Sequence, residues 1–168
     1  MSVNPSSRKQ QEGFTLVEVL VTMVIFVIGM LAVASLQMSA IGNNHGAYLR
    51  SQAMWLAYDM AERMRANPVA VDNNNYINGS ASAIASCTQA SGCSPAQMAQ
   101  NDLHEWQNLL DNTLPNGEGV VCVDSTPEDG SGSGSPQCDG TGDYYAAKIW
   151  WYEKSGEETQ RFTLSFRP

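Results

Sequence analysis

The chain has 168 residues, enough for one folded core with an extended element attached and too few for two independent cores. Its 17 Asp and Glu against 9 Lys and Arg give a formal net charge of -8, which excludes a sequence-independent grip on nucleic acid, because that grip is made by Lys and Arg on phosphate. No Lys or Arg occurs between Arg65 and Lys148, whereas Asp72, Asp102, Glu105, Asp111, Glu118, Asp124, Glu128, Asp129, Asp139 and Asp143 all fall there, so the middle of the chain is expected to be an acidic, solvated surface.

Residues 1–13 are polar, carry Arg8 and Lys9, and lead directly into an apolar run over residues 14–34. That run matches the roughly 20 residues a helix needs to cross a bilayer. A secretory signal has a shorter apolar region with its small residue after it. Here Gly13 lies before the run, so a cut at Gly13 keeps the apolar segment. The next basic residue after the run is Arg50, and the positive-inside bias leaves residues 1–13 in the cytoplasm and sends the bulk of the chain outward. Glu18 is the one ionised side chain in the run. An acid at a helix centre costs roughly 2.5–3.5 kcal/mol, which suggests a compensating partner for Glu18, the alternative being that its side chain snorkels to the headgroups.

Beyond Ala34 the pattern turns amphipathic: Leu49, Ala53, Leu56, Met60 and Met64 recur at three- and four-residue steps, with Gln52, Asp59, Glu62 and Arg63 on other faces. One helix is expected to continue to Ala66, where Asn67 precedes Pro68, with its Met-bearing stripe packed under a sheet. Gly29, Gly42 and Gly46 each cost about 1 kcal/mol relative to Ala and mark bends or close helix contacts. Residues 72–92, rich in Asn, Ser, Gly and Ala, read as a surface loop.

A second helix follows, capped by Ser94, with Pro95 in its first turn, an apolar face of Met98, Leu103, Trp106, Leu109 and Leu110, and a stop at Pro115-Asn116-Gly117. Residues 118–124, 144–152 and 159–166 read as strands. The last alternates, with Phe162, Leu164 and Phe166 on one face, and Lys154-Ser155-Gly156-Glu157 suits a hairpin turn before it. Residues 125–142 form a Gly/Ser-rich connection, flexible by composition. Its acids lack the spacing of a helix–loop–helix Ca²⁺ site, so it is read as solvated. The fold class is α+β: a long N-terminal helix, part anchor and part amphipathic, packed on a small antiparallel β-sheet.

Cys87, Cys93, Cys122 and Cys138 fall in the part placed outside the cytoplasm, where disulfides persist. Four cysteines allow three pairings. Cys87 with Cys93 and Cys122 with Cys138 is favoured because each bond staples a local loop, worth on the order of 3 kcal/mol for about 15 residues in the chain-entropy account. The Cys87/Cys93 spacing is too wide for a zinc knuckle and His45 and His104 form no pair. Neither a metal nor a cofactor is expected. No nucleophile stands with a base and no phosphate-cradling loop occurs, so the chain is not read as an enzyme.

The stretch Gly13-Phe14-Thr15-Leu16-Val17-Glu18-Val19-Leu20 resembles the signature of type IV pilins and of the pseudopilins of type II secretion. The resemblance implies a pilin-like fold, cleavage after Gly13 by a prepilin peptidase, N-methylation of Phe14, and pairing of Glu18 with the terminal amine of a neighbouring subunit. Cleavage would remove Arg8, Lys9 and Glu12, leaving the chain one charge more negative. It divides the chain into a leader (1–13), a transmembrane and filament-core half-helix (14–41) and an exported globular domain (42–168). Many pilins carry a proline in the second half of the apolar segment. None is present here, and Gly29 is the candidate substitute.

Ile28-Gly-Met-Leu-Ala-Val-Ala-Ser-Leu-Gln37, Asp59-Met-Ala-Glu-Arg-Met-Arg-Ala-Asn-Pro68 and Phe162-Thr-Leu-Ser-Phe166 are similar to the PilV group of minor pilins. That resemblance implies a low-abundance subunit, held in the inner membrane before assembly and in the pilus afterwards. It would act with other minor pilins and the major pilin to initiate the filament in a tip complex, supporting twitching motility and attachment. A minor pseudopilin of type II secretion is the second reading. The loops match nothing, which leaves receptor and tip-adhesin contacts open.

Overall fold

The computed structural model describes residues 13–78, 80–153 and 159–168. Residues 1–12 of the leader, Gly79 and residues 154–158, with the hairpin turn expected at 154–157, lie outside the described residues. In chain order the elements are α1 (Leu16–Ala66), α2 (Pro68–Asp72), α3 (Asn75–Asn78), a 3₁₀ turn (Ala85–Thr88), α4 (Pro95–Thr113), β1 (Glu118–Val123), β2 (Tyr145–Tyr152) and β3 (Thr159–Phe166). The chain divides into two units at the junction of Asn44 and His45.

In the first unit, every described residue is exposed. In the second, α1 buries Leu49, Ala53, Ala57, Met60, Ala61 and Met64. These positions share one face at helical spacing, and the three alanines leave room for close packing. That face joins a core with Leu103, Trp106 and Leu110 of α4 and Val121, Ala147, Ile149, Trp151 and Phe166 of the sheet. Gly46 admits the Glu153 carboxylate, which a Cβ would meet at 2.8 Å.

The sheet is antiparallel in the order β1-β2-β3. Because side chains alternate across a strand, the register sorts the rows. Gly119, Ile149 and Phe162 lie on the core face, as do Val121, Ala147 and Leu164, and Val123, Tyr145 and Phe166. The opposite face carries Glu118, Trp150 and Arg161, then Val120, Lys148 and Thr163, then Cys122, Ala146 and Ser165. Gly119 is what lets α4 lie on the sheet: a Cβ there would stand 2.5 Å from the Trp106 ring and 2.6 Å from Leu110. The Trp106 indole N–H donates to the Leu56 carbonyl at 2.8 Å, tying α4 to α1.

α4 starts as its sequence implies. Ser94 Oγ accepts from the Gln97 N–H while Gln97 Oε1 accepts from the Ser94 N–H, a reciprocal cap with Pro95 in the first turn. Its buried face differs from the apolar list. Leu109 is exposed, Met98 is half-buried, and Ala99, Asn101 and Asp102 are buried. The two polar residues are buried because they are bonded: Asn101 Oδ1 accepts from the Ile84 N–H and Asp102 Oδ2 from the Tyr76 hydroxyl at 2.6 Å.

The loop expected over 72–92 is partly helical. Pro68 opens α2, whose last residue is Asp72, and Asn74 takes a left-handed turn (φ 55°) that starts α3, which buries Tyr76 against α4. Asn tolerates that backbone conformation better than most residues. The low hydrophobic period of the stretch concealed these short turns, because only Ala70, Val71 and Tyr76 supply their core contacts.

Candidate assembly site

α1 begins at Leu16, with Thr15 serving as its cap: the Glu18 N–H donates to Thr15 Oγ1 at 3.3 Å and to the Thr15 carbonyl at 3.1 Å. Gly13 has nothing within 4 Å of a virtual Cβ, and Phe14 is exposed. Glu18 stands one helical turn beyond Phe14, and among the described residues no side chain bonds its carboxylate. Gly13, Phe14 and Glu18 are thus together at one open helix end.

From Leu16 to Ile41 the large apolar side chains of α1 are all exposed, and the helix contains an 18-residue window of mean hydropathy 2.8. Such a surface needs lipid or protein around it, and a helix can enter lipid because its backbone bonds itself. Thr22 fits this pattern, its hydroxyl donating to the Val19 carbonyl at 2.9 Å. A Cβ at Gly29 would meet nothing within 4 Å, and Gly29 leaves an apolar depression beside Phe26, Met30 and Val33. It serves no contact within the described chain.

In the second unit, Cys87 is bonded to Cys93 and Cys122 to Cys138, with Cα separations of 4.8 and 6.2 Å. Cys122, Asp124 and Cys138 cluster, but both sulfurs are spent in the disulfide and offer no thiolate to a metal.

The expectation of an acidic, solvated middle holds for Asp72, Asp111, Glu118, Glu128, Asp139 and Asp143, which are exposed, and is corrected at Asp102 and Asp124, which are buried. Residues 125–142 form a strap over the outer sheet face, held by cations and hydroxyls. Lys148, fully buried, places Nζ 2.5 Å from Asp124 Oδ2 and 2.7 Å from Asp129 Oδ1, and donates to the Pro136 carbonyl at 2.8 Å. Arg161 donates to the Gly130 carbonyl at 2.8 Å and to that of Glu128. Glu118 accepts from the Ser133 N–H and hydroxyl, and Asp139 from the Ser125 N–H and hydroxyl and the Thr141 N–H. The Asp129 carboxyl is held below the usual range chiefly by Lys148, and that of Asp139 well below it, chiefly by the Ser125 hydroxyl. Of these acids Asp124 is enclosed, while Glu118, Asp129 and Asp139 bond donors of their own chain from positions that remain open to water.

A second network joins α1 to α4. Arg63 binds Asp59 (2.8 Å), Glu105 (2.8 Å) and Asp102 (3.1 Å). Burial opposes the Arg63 charge, but Glu105, Asp59 and Asp102 outweigh it and raise the pKa, while Arg63 in turn depresses the Glu105 carboxyl. Burial and Asp102 push the Tyr76 phenol up. Sequence reasoning missed Lys148, Arg63 and Asp102 as structural ions. The available signal for the first was a lone lysine in the strand Ala146-Ala147-Lys148-Ile149-Trp150. His45 and His104 belong to neither network. His104 lies 3.0 Å from the Asn108 amide.

An apolar helix with an acid in its first turn, joined in sequence to a disulfide-bonded α+β domain, is the arrangement of an anchored filament subunit. Two family models match the chain in succession: a prokaryotic N-terminal methylation motif over residues 8–34 and a type IV pilin, Tt1218-like, over residues 35–104. The two matches together support a type IV pilin-like family for the chain, and the methylation motif with the apolar helix fits anchoring in the inner membrane followed by incorporation into a pilus. No curated protein and no solved structure matches it. Membership implies assembly with other pilins and processing by a prepilin peptidase.

Proposed function

We propose that this chain is a minor pilin that acts by assembly rather than catalysis, initiating a type IV pilus together with other minor pilins in a tip complex and so supporting twitching motility and attachment. Residues 1–13 are the leader, 14–41 the membrane and filament-core half of the helix, and 42–168 the exported domain. The peptidase cuts between Gly13 and Phe14, and Phe14 is N-methylated.

The observation that carries the reading is Glu18, an exposed acid without a side-chain partner among the described residues, inside an apolar helix and four residues from Phe14. Packing the amine of Phe14 among apolar helices buries a positive charge, and an unpaired buried charge costs several kcal/mol. Glu18 of a neighbouring subunit answers that charge. The minor-pilin assignment is supported by the similarity at residues 59–68, where Asp59 and Arg63 build the link between α1 and α4.

The test is Glu18→Ala. Membrane insertion, cleavage and folding of the exported domain are expected to persist, since removing an acid lowers the transfer cost, while the amount recovered in sheared filaments falls. Entry at the wild-type level would show Glu18 to be only a tolerated acid. Deleting the gene is expected to reduce the number of filaments and twitching, as loss of an initiator should. An undiminished filament number would remove the initiation role.

A further inference from the structure

Lys148 and Asp124 form an ion pair in which neither side chain has any exposed area. Enclosure of that kind strips both ions of water and favours the neutral form of each, an amine beside a carboxylic acid. Val120 and Thr163 flank Lys148 in its row of the outer sheet face and bring no competing charge.

The contacts of Lys148 Nζ are unequal. It donates to Asp129 Oδ1 at 2.7 Å and to the Pro136 carbonyl at 2.8 Å, with the Asp129 carbonyl farther off at 3.3 Å. Asp124 Oδ2 is nearer than any of these, at 2.5 Å, yet it takes no hydrogen bond among the described residues. That approach is closer than the roughly 2.7–2.9 Å of a charge-assisted N–H···O bond, and it lacks the direction of one. A neutral amine has two N–H bonds, which the Asp129 carboxylate and the Pro136 carbonyl accept. Its lone pair is then left for the Asp124 carboxyl.

We infer that Lys148 and Asp124 condense in the folded domain to an intramolecular amide, a covalent cross-link between β2 and the residue that follows β1. Nζ attacks Asp124 Cγ and forms the N–C bond, and one C–O bond of the carboxyl breaks. Of the three ammonium protons one stays on the amide nitrogen and two leave with the Asp124 oxygen as water, carried by the Asp129 carboxylate that touches Nζ. Nothing is oxidised or reduced and no co-reactant is needed. Bulk water opposes such a condensation, but groups held in contact react as though at effective molarities of roughly 10⁵–10⁸ M. The link closes a ring over residues 124–148 that overlaps the one closed by Cys122 and Cys138, so the strap stays fastened after the disulfide is reduced. The ion pair is the state before the step, and chain that has not condensed keeps it.

The experiment is peptide mapping of the full-length chain purified from its own cells, reduced, alkylated and digested with trypsin, which cuts after Arg65, Lys148 and Lys154 but not after an acylated lysine. The expected product is a single peptide, 66–154, lighter by one water than its sequence, with fragmentation placing the link at Asp124 and Lys148. Release of 66–148 and 149–154 at their sequence masses would overturn the proposal. So would release of a 66–148 peptide that is itself lighter by one water, because Asp129-Gly130 or Asp139-Gly140 would then have closed a succinimide instead. Wild type is the sample, so misfolding of a variant cannot hide the answer. Asp129→Asn keeps a hydrogen-bonding oxygen beside Nζ but cannot carry a proton, and it is expected to slow the appearance of the linked peptide after synthesis by roughly 100-fold or more. Linking at the wild-type rate would overturn the part given to Asp129.

Discussion

Truncating Lys148 to alanine tests the strap most directly. Lys148 and Asp124 are both fully buried, and with Nζ gone Asp124 keeps only the Thr126 N–H at 3.1 Å. Breaking a buried pair from one side costs roughly 3–5 kcal/mol, a large part of the roughly 5–15 kcal/mol that holds an ordinary domain together. For a unit of this size that loss lowers Tm by on the order of 10–20 °C. Asp129→Ala should cost less, because that carboxylate is partly exposed and Asp124 still holds the lysine. Pairing Lys148→Met with Asp124→Leu should recover most of the loss, since an apolar pair of similar volume often replaces a buried ion pair without penalty. The assay is thermal unfolding of the full chain in detergent, disulfides intact, followed by near-ultraviolet circular dichroism of the tryptophans. If Lys148→Ala lies within about 1 kcal/mol of wild type, or the double variant is no better than the single, the strap is not held by this ion pair.

Acid should loosen the strap before the sheet. Asp129 and Asp139 have folded pKa values below the ordinary carboxylate range, so their contribution is present above about pH 4 and is lost as pH falls through the lower folded values. Hydrogen exchange at pH 3 against pH 6 should show protection lost over 125–142 first, and simultaneous loss in β2 would contradict this. Gly119→Ala should destabilise by about 1–3 kcal/mol in urea unfolding, because the new Cβ meets the Trp106 ring and Leu110. A neutral result would mean that α4 shifts freely over the sheet. Arg63→Ala should cost about 1.5–3 kcal/mol, and Arg63→Lys should rescue little, since one ammonium cannot reproduce the fork to Asp59, Asp102 and Glu105. Full rescue by lysine would make the link one of charge alone.

The anchor, the end of α1 before Pro68, the Ser94–Gln97 cap of α4 and the alternation of β3 were legible from residue order. Each is set by interactions within a few positions or by the length of an apolar run, and neither depends on what packs alongside. The Gly13-Phe14 junction and Glu18 are likewise local patterns, and the roles given to them belong to the proposed function. What the chain brings from afar was not. Ala99 faces the core and Leu109 faces water because Trp106 must meet Gly119 and Asp102 must meet Arg63 and Tyr76. The short helices between α1 and α4 form around Ala70 and Tyr76, too few core residues to set a local period. Residues 125–142 have the composition of a free loop, yet they are fastened to the sheet because Lys148 and Arg161 rise from its outer face and find carbonyls and carboxylates above them. Whether an acid is solvated or buried is decided by the cation that tertiary packing places beside it, and between Arg65 and Lys148 no such cation exists in the local sequence.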